Sequence, residues 1–187
     1  LFAVYQMMFS IITVGIATGS IVGRMRFSPL VIWISLWLLL VYYPLAHMIW
    51  GGGLLAQMGA LDFAGGNVVH ISSGVAGLVM ALMVGKRVDY ERIAYRPHNV
   101  PFVMLGTAIL SFGWIGFNAG SALGANASAI HALATTLVSA AAGLLSWLVI
   151  EKMVGSKPSL VGASTGLVAG LVAITPGAGY VSVGAAL

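Results

Sequence analysis

The sequence has no cysteine and very little charge. Of its 187 residues only 6% are Asp, Glu, Lys or Arg, whereas 60% are hydrophobic. A soluble domain carries about 25% charged residues because its surface faces water. The composition therefore excludes soluble enzymes and nucleic-acid-binding domains, and the high apolar content excludes a disordered chain. Because cysteine is absent, disulfides, iron–sulfur clusters and thiolate zinc sites are excluded as well.

Motifs for catalysis and cofactor binding are also lacking. There is no H-E-x-x-H zinc motif, no Walker lysine loop and no dinucleotide-binding glycine fingerprint. We therefore predict no cofactor, no metal site and no enzymatic activity. One pattern competes with this prediction, because Gly162–Gly166 fits the G-x-S-x-G motif with Ser164 as the nucleophile of an intramembrane serine protease. The same residues belong to a row of small residues at helical spacing, which favours helix packing instead.

Long uncharged stretches dominate what is present. A membrane-spanning helix needs about 20 apolar residues to cross about 30 Å of hydrocarbon. The stretch 97–150 is long enough for two such helices, with a turn at Gly120–Ser128. We predict an all-α, polytopic transmembrane bundle forming a single membrane domain over 1–187. The predicted spans are 1–22, 27–50, 66–85, 99–121, 128–150 and 159–175, with the start of a seventh at 180–187.

The positive charges alternate between the loops that connect these spans. All the basic residues fall in the first, third and fifth loops: Arg24, Arg26, Lys86, Arg87, Arg92, Arg96, Lys152 and Lys157. Basic loops stay on the cytoplasmic side of a membrane, so the first helix is predicted to run inward. Membrane orientation therefore explains the formal net charge of +4, and no nucleic-acid partner is predicted. Because the chain begins and ends within apolar runs, we expect it to be an internal fragment.

The outer ends of the predicted helices carry residue types that suit a cation site. His70 lies near the start of an inward-running helix, and an ionisable residue within a membrane is expected to face the protein interior or a polar cavity. At a similar depth lie Phe9, Trp50, Trp114, Phe117 and Ser121. Aromatic faces attract cations, so this set indicates an outward-facing cation site. An interfacial aromatic belt with a structural histidine is the alternative.

Asp62 is the only acidic residue on the predicted outer side. It stands shortly before the glycine pair Gly65 and Gly66 and the helix that carries His70. A carboxylate in this position can accept hydrogen bonds from the unpaired backbone N–H groups of a helix start. A helix cap and a cation ligand are therefore the two interpretations of Asp62.

Six blocks of this sequence, in order, resemble one known family. The blocks are Tyr42–His47 (YYPLAH), Trp50–Gly53 (WGGG), Leu61–His70 (LDFAGGNVVH), Pro97–Asn99 (PHN), Phe112–Ser121 (FGWIGFNAGS) and Ala173–Pro176 (AITP). They are similar to the Amt/MEP/Rh ammonium transporter family, within its Amt branch. The resemblance implies about eleven spanning helices with inverted repeats and a homotrimer with one pore per subunit. The chain would then supply helices three to eight and the start of helix nine.

The resemblance also implies roles for the outer aromatic residues. Phe9, Trp50 and Ser121 match the site that recruits ammonium from outside. Phe9 and Phe117 match the pair of stacked phenyl rings that forms the gate beneath that site. These assignments make the aromatic residues part of a substrate path, in contrast to an interfacial belt.

The pore itself is implied by a histidine. His70 matches the first of two pore histidines that contact one another in the family, and the second would lie beyond Leu187. Asp62 and Trp114 are interpreted as structural residues close to the site. Within this arrangement a charged ion would lose its proton, because neutral ammonia crosses an apolar bore far more easily than a cation does.

The implied function is an ammonium transporter or channel that recruits ammonium and conducts ammonia, with or without a relayed proton. An ammonium sensor on the same fold is the alternative, and a protease that uses Ser164 is a remote one. The implied location is the plasma membrane or the bacterial inner membrane. The implied partners are ammonium or ammonia, the lipid bilayer, further copies of the chain in a trimer, and a cytoplasmic PII-type regulatory protein near the basic loop Lys86–Arg96.

Overall fold

The computed structural model describes residues 1–92 and 96–187. Backbone contacts divide the chain into two compact units, Leu1–Tyr95 and Arg96–Leu187. All regular structure in the described residues is helical, which confirms the all-α prediction. The single membrane domain over 1–187 stays a prediction. Residues 93–95 of the predicted third loop lie outside the described residues.

The first unit contains α-helices and two π-helical segments. The α-helices are α1 (Phe2–Thr18), α2 (Phe27–Trp37), α3 (Tyr43–Trp50), α4 (Leu54–Gln57) and α5 (Ser72–Val84), and the π-helical segments are Leu38–Tyr42 and Gly66–Ile71. The first π-helical segment joins α2 to α3 without a break, and the second leads directly into α5. The short helix α4 lies where the sequence predicts only an outer loop, at 51–65.

Pro44 explains the first π-helical segment. Proline has no backbone N–H, and its ring crowds the carbonyl group four residues earlier. The N–H group of Tyr43 bonds to the carbonyl oxygen of Leu38, five residues back. This wider turn accommodates the proline inside a continuous helix and does not end it.

The second unit contains three α-helices in its described residues. They are α6 (Val100–Asn118), α7 (Ala127–Met153) and α8 (Leu160–Ile174), with short 3-10 turns at Ala119–Ala122 and Gly184–Ala186. Each α-helix begins at a side chain that accepts a hydrogen bond from a first-turn N–H group, and these caps are Asn99, Asn126 and Ser159. Helix α7 extends past both ends of the predicted span 128–150. Residues 180–187 hold only a 3-10 turn, where the sequence predicts the start of a further span.

Helices α7 and α8 approach each other very closely. A Cβ atom added to Gly143 of α7 would lie 2.8 Å from the Cα atom of Gly170 in α8. One added to Gly170 would lie 2.9 Å from the carbonyl carbon of Ser139. The Ser139 hydroxyl donates a hydrogen bond to the Gly170 carbonyl oxygen at 3.0 Å. Glycine is therefore what allows the two backbones to touch.

Four helical stretches in the described part of the chain are long and apolar enough to cross a membrane. They are Phe27–Gln57, Gly66–Val84, Val100–Ala122 and Ala127–Met153. Helices α1 and α8 are apolar as well, but shorter. Several membrane-length helices in one chain confirm the prediction of a polytopic transmembrane bundle, since helices satisfy their own backbone hydrogen bonds within lipid.

Candidate functional site

The carboxylate of Asp62 caps the start of the helical segment that carries His70. Its Oδ1 atom accepts hydrogen bonds from the N–H groups of Gly65 and Gly66, both at 2.7 Å. Its Oδ2 atom accepts from Asn67 at 2.8 Å and from Val68 at 3.2 Å. First-turn N–H groups have no partner within their own helix, and Asp62 is only 6% exposed, so these charge-assisted bonds form away from water. The contacts fit the cap interpretation.

Gly65 makes the turn between Asp62 and this helical segment possible. Its φ angle is +112°, in the region that favours glycine. A Cβ atom here would lie 2.7 Å from the Cγ2 atom of Val69 and 3.4 Å from the Cη2 atom of Trp50. The glycine pair after an acidic residue was visible in the sequence, but no role was predicted for Gly65.

Trp50 is held by the same loop. Its indole N–H donates a hydrogen bond to the backbone carbonyl oxygen of Asp62 at 2.9 Å. Its ring contacts that of Phe9 edge to face, with centroids 5.6 Å apart and planes at 79°. Phe9 in turn meets Tyr5, one helical turn earlier, at 5.0 Å and 75°. The structure thus brings together Phe9 and Trp50 and adds Tyr5, which was not predicted.

His70 lies in the second π-helical segment and is buried. Two serine hydroxyls stabilise this wide turn by donating to carbonyl groups four residues earlier. Ser72 donates to the carbonyl oxygen of Val68 and Ser73 to that of Val69, each at 2.6 Å. Segments of π-helix are frequent at functional sites, where they change the direction of a side chain relative to a regular helix. The histidine is therefore on a specialised and well-supported turn.

In the second unit, Trp114 and Phe117 stack against each other along α6. Their centroids are 5.0 Å apart and their planes meet at 25°. The indole N–H of Trp114 donates to the hydroxyl oxygen of Thr175 at 3.2 Å. That hydroxyl donates to the carbonyl oxygen of Leu171 in α8 at 2.8 Å, so its oxygen is directed at the indole. Trp114 is thus fixed between two helices, which fits a structural residue, and Thr175 is a positioning residue that the sequence analysis missed.

Ser121 follows Phe117 by one turn. Its hydroxyl donates a hydrogen bond to the carbonyl oxygen of Phe117 at 2.8 Å. Because this bond uses the hydroxyl proton, the Ser121 oxygen can take part in a further hydrogen bond only as an acceptor. Such an oxygen suits a ligand that carries N–H groups.

Besides the bond from Trp114 to Thr175, α6 has a polar link to α7. The fully buried Asn118 donates through Nδ2 to the hydroxyl oxygen of Thr136 at 3.0 Å. Thr136 donates to the carbonyl oxygen of Ala132 at 2.6 Å. This pair could not be predicted, because both residues stand within long apolar stretches and nothing in their spacing indicates that they meet.

Ser164 has the surroundings of a packing residue. Its buried hydroxyl contacts the Sδ atom of Met104 at 3.5 Å. A thioether is a weak acceptor and cannot act as a general base. The neighbouring glycines Gly166 and Gly170 lie at the close contact with α7. These contacts give the nucleophile interpretation no support.

The described residues define a polytopic membrane protein. They contain membrane-length apolar helices, a buried histidine on a π-helical turn, and aromatic clusters anchored by hydrogen bonds. The chain belongs to the Ammonium Transporter Family, which its sequence matches over residues 1–187. It is therefore a multi-pass membrane protein of the plasma or inner membrane.

Similar proteins carry consistent names. The chain is 51% identical over 182 residues to the ammonium transporter of Bacillus subtilis, covering 97% of this chain and 45% of that protein. It superimposes on Saccharomyces cerevisiae Mep2 with a TM-score of 0.91 and 44% identity, covering 99% of this chain and 43% of the other. A Sensor Amt Protein structure matches with a TM-score of 0.89 and 33% identity, covering 97% and 48%. The chain spans less than half the length of these relatives.

Proposed function

We propose that the protein to which this chain belongs moves ammonium nitrogen across a membrane. The observation that carries the proposal is the Phe9–Trp50 ring contact, anchored through the Trp50 indole on the Asp62 loop. That loop also caps the helical segment of His70. One loop therefore couples the position of the aromatic pair to the position of the histidine. Membership in the Ammonium Transporter Family and the names of the relatives support ammonium as the substrate.

The chemistry of these residues suits ammonium better than other cations. Ammonium and potassium have similar sizes, so a site cannot select between them by radius alone. Aromatic faces such as those of Phe9 and Trp50 attract a cation within about 6 Å, by about 0.5–2 kcal/mol. A hydroxyl acceptor such as Ser121 adds a hydrogen bond that ammonium can donate and potassium cannot. We assign these three residues to ammonium recruitment, and Phe9 with Phe117 to the gate.

Passage through the bundle is proposed to occur as ammonia. Moving a bare cation through an apolar interior is far more costly than moving a neutral molecule. His70 is buried on the capped π-helical turn, and imidazole can both accept and donate a proton. We assign His70 to the pore, where it contacts ammonia and, in a proton-coupled mechanism, bridges the proton that ammonium has lost.

The first test compares two tryptophan substitutions in the full-length protein reconstituted in liposomes. Trp50→Leu removes the ring that meets Phe9, whereas Trp33→Leu removes a ring that stacks on Trp37, away from that pair. We expect Trp50→Leu to raise the ammonium concentration for half-maximal uptake about twofold to thirtyfold, the effect of losing a cation–π contact. Trp33→Leu should leave that concentration unchanged. Equal effects of the two variants would contradict the recruitment role.

The sensor alternative uses the same residues and differs in the step after binding. The likeness to a Sensor Amt Protein is the observation that favours it. A sensor would bind ammonium with the same dependence on Trp50 but would show little or no flux. Uptake measured beside binding in the same preparation separates the two functions.

We also propose a homotrimer that docks a PII-type protein on the side of the third loop. The docking proposal is supported by the well-exposed side chain of Lys86 in this loop. Its Nζ atom lies 3.5 Å from Oε1 of Glu91 and 4.6 Å from the centroid of the Tyr90 ring. Native mass spectrometry of the full-length protein should give three copies. Binding of a purified PII-type protein should weaken in Lys86→Glu, and equal binding by this variant and the wild type would contradict docking at this loop.

A further inference from the structure

Two arginines connect α1 and α5 at the end of the first unit opposite the Phe9–Trp50 pair. Nη1 of Arg24, which follows α1, donates to the carbonyl oxygen of Gly85 at 2.5 Å. Nη2 of Arg87, which follows α5, donates to the carbonyl oxygen of Val22 at 3.0 Å. Each side chain therefore reaches from the segment after one helix to the backbone after the other.

The acceptors are groups that need such partners. The last carbonyl groups of a helix have no N–H partner within it, and the helix end carries partial negative charge. Gly85 is the C-cap of α5 and follows its last residue, Val84. Arg24 also donates through Nη2 to the carbonyl oxygen of Ser20 in the turn after α1, so one guanidinium group joins this turn to the C-cap of α5. A lysine has no planar fork and cannot hold two carbonyl oxygens in this way.

The backbone is shaped for this arrangement. Gly23 and Gly85 have φ angles of +73° and +76°. Gly23 immediately precedes Arg24, and Gly85 stands two residues before Arg87. Beside them the two helices pack through Ala17, Ile21 and Met80, which form a buried apolar cluster. The apolar cluster has no directional preference along the helix axes, whereas the hydrogen bonds of the arginines do.

We infer that Arg24 and Arg87 form a reciprocal clasp that sets the axial register of α1 against α5. This inference rests on the proposed function for its consequence, because α1 carries Phe9 and the π-helical turn before α5 carries His70. The clasp holds these helices at one end, and the Asp62 cap holds the start of the His70 segment at the other. Arg24 and Arg87 are thus positioning residues for the recruitment and pore residues, without contact to the substrate.

A disulfide reporter tests the register directly, because the chain itself contains no cysteine. A Cβ atom on Gly77 of α5 would lie 3.6 Å from the Cβ atom of Ser20, within the range of disulfide bonds. The in-register pair is Ser20→Cys with Gly77→Cys. The out-of-register pair is Ser20→Cys with Ser73→Cys, one helical turn away, about 6 Å along α5. Both pairs are made in the full-length protein with any cysteine outside this chain replaced by serine.

The clasp is then weakened by Arg24→Lys or, separately, Arg87→Lys, which keep the positive charge that orients the protein in the membrane. Arg26→Lys, at an exposed position in the same loop, is the matched control. We expect Arg24→Lys to slow cross-linking of the in-register pair about tenfold, the effect of losing a charge-assisted hydrogen bond. Arg87→Lys should slow it less, because the bond to Val22 is exposed to water. Cross-linking of the out-of-register pair should rise, ammonium flux in the cysteine-free protein should fall, and Arg26→Lys should change none of these.

Unchanged cross-linking in both clasp variants would overturn the inference, whatever the flux. Slower cross-linking with unchanged flux would support the register but overturn the positioning role. If the wild-type protein carries no ammonium flux, the proposed function fails, while the cross-linking rates still decide whether the clasp sets the register.

Discussion

The two units hold their candidate residues in different ways. In the first unit, Trp50 and the His70 segment are fixed by hydrogen bonds to Asp62, within a loop and a π-helical turn. In the second unit, regular α-helices dominate, and α7 and α8 touch through the backbones of Gly143 and Gly170. The loop before His70 therefore depends on one carboxylate, whereas the contact between α7 and α8 depends on the absence of Cβ atoms. This difference predicts which substitutions each unit tolerates.

The largest effect is expected where the backbones touch. Gly170→Ala places a Cβ atom 2.9 Å from the carbonyl carbon of Ser139 and 3.1 Å from the Cα atom of Ala140, so the helices must separate. We expect a loss of about 3 kcal/mol or more in unfolding free energy, at the upper end for overpacking, because backbone cannot move aside as a side chain can. Thermal unfolding and folded yield of the full-length protein measure it. In Gly106→Ala, within α6, the added atom meets nothing within 4 Å, so the unfolding free energy should not fall and should rise by up to about 1 kcal/mol.

The next largest effect is expected at the helix cap. Asp62→Ala leaves four N–H groups without their acceptor, three of them buried, and we expect it to lower the unfolding free energy by about 2–3 kcal/mol. Folded yield and ammonium flux should fall together. Asp62→Asn keeps one acceptor oxygen and should give an intermediate result. Normal yield with a selective loss of ammonium binding in Asp62→Ala would support the cation-ligand interpretation against the cap.

A smaller effect is expected at the turn beside the cap. Gly65→Ala combines a positive φ angle with a Cβ atom 2.7 Å from the Cγ2 atom of Val69. Gly52→Ala also has a positive φ angle, +74°, but its added atom meets nothing within 4 Å. Both substitutions carry the conformational cost of a positive φ angle, about 1–2 kcal/mol. Gly65→Ala adds the clash with Val69, so it should unfold at a lower temperature than Gly52→Ala. Equal unfolding temperatures would show that the close approach to Val69 has no role.

The smallest effect is expected at Ser164. Ser164→Ala removes only a contact to a thioether sulfur, so the unfolding free energy should change by less than about 0.5–1 kcal/mol. Ammonium flux should stay within about twofold of the wild type, which corresponds to only about 0.4 kcal/mol. A folded variant that has lost its activity, together with labelling of the wild-type serine by a fluorophosphonate, would restore the nucleophile interpretation.

The membrane-spanning architecture could be predicted because lipid leaves few choices. Only helices satisfy all backbone groups within a single apolar segment, so length and hydropathy are sufficient. Asp62 could also be singled out from the sequence, because it is an isolated charge in an apolar region before a glycine pair. The π-helical segments could not be predicted, because a shift from four to five residues in the hydrogen bonding barely changes the apolar periodicity. Pro44 was a local signal for the first of them.

Other site residues depend on contacts between distant parts of the chain. Tyr5 looks like any aromatic residue of a membrane helix until Phe9 is seen against Trp50. Thr175 gains its role only because α8 brings its hydroxyl to the indole of Trp114. The sequence of neither helix indicates these contacts, since a threonine or tyrosine in an apolar run has many possible neighbours.

The central claim is most directly tested by ammonium-pulse currents in proteoliposomes that contain the full-length protein, with wild type and His70→Ala compared and potassium pulses as the control. For a proton-coupled mechanism the account predicts a current with ammonium, none with potassium, and a changed ammonium current or ion selectivity in His70→Ala. For electroneutral passage it predicts an ammonia flux that depends on His70 in the same way. Silence in both the current and the ammonia-flux assays, with ammonium binding intact, would contradict transport and favour the sensor.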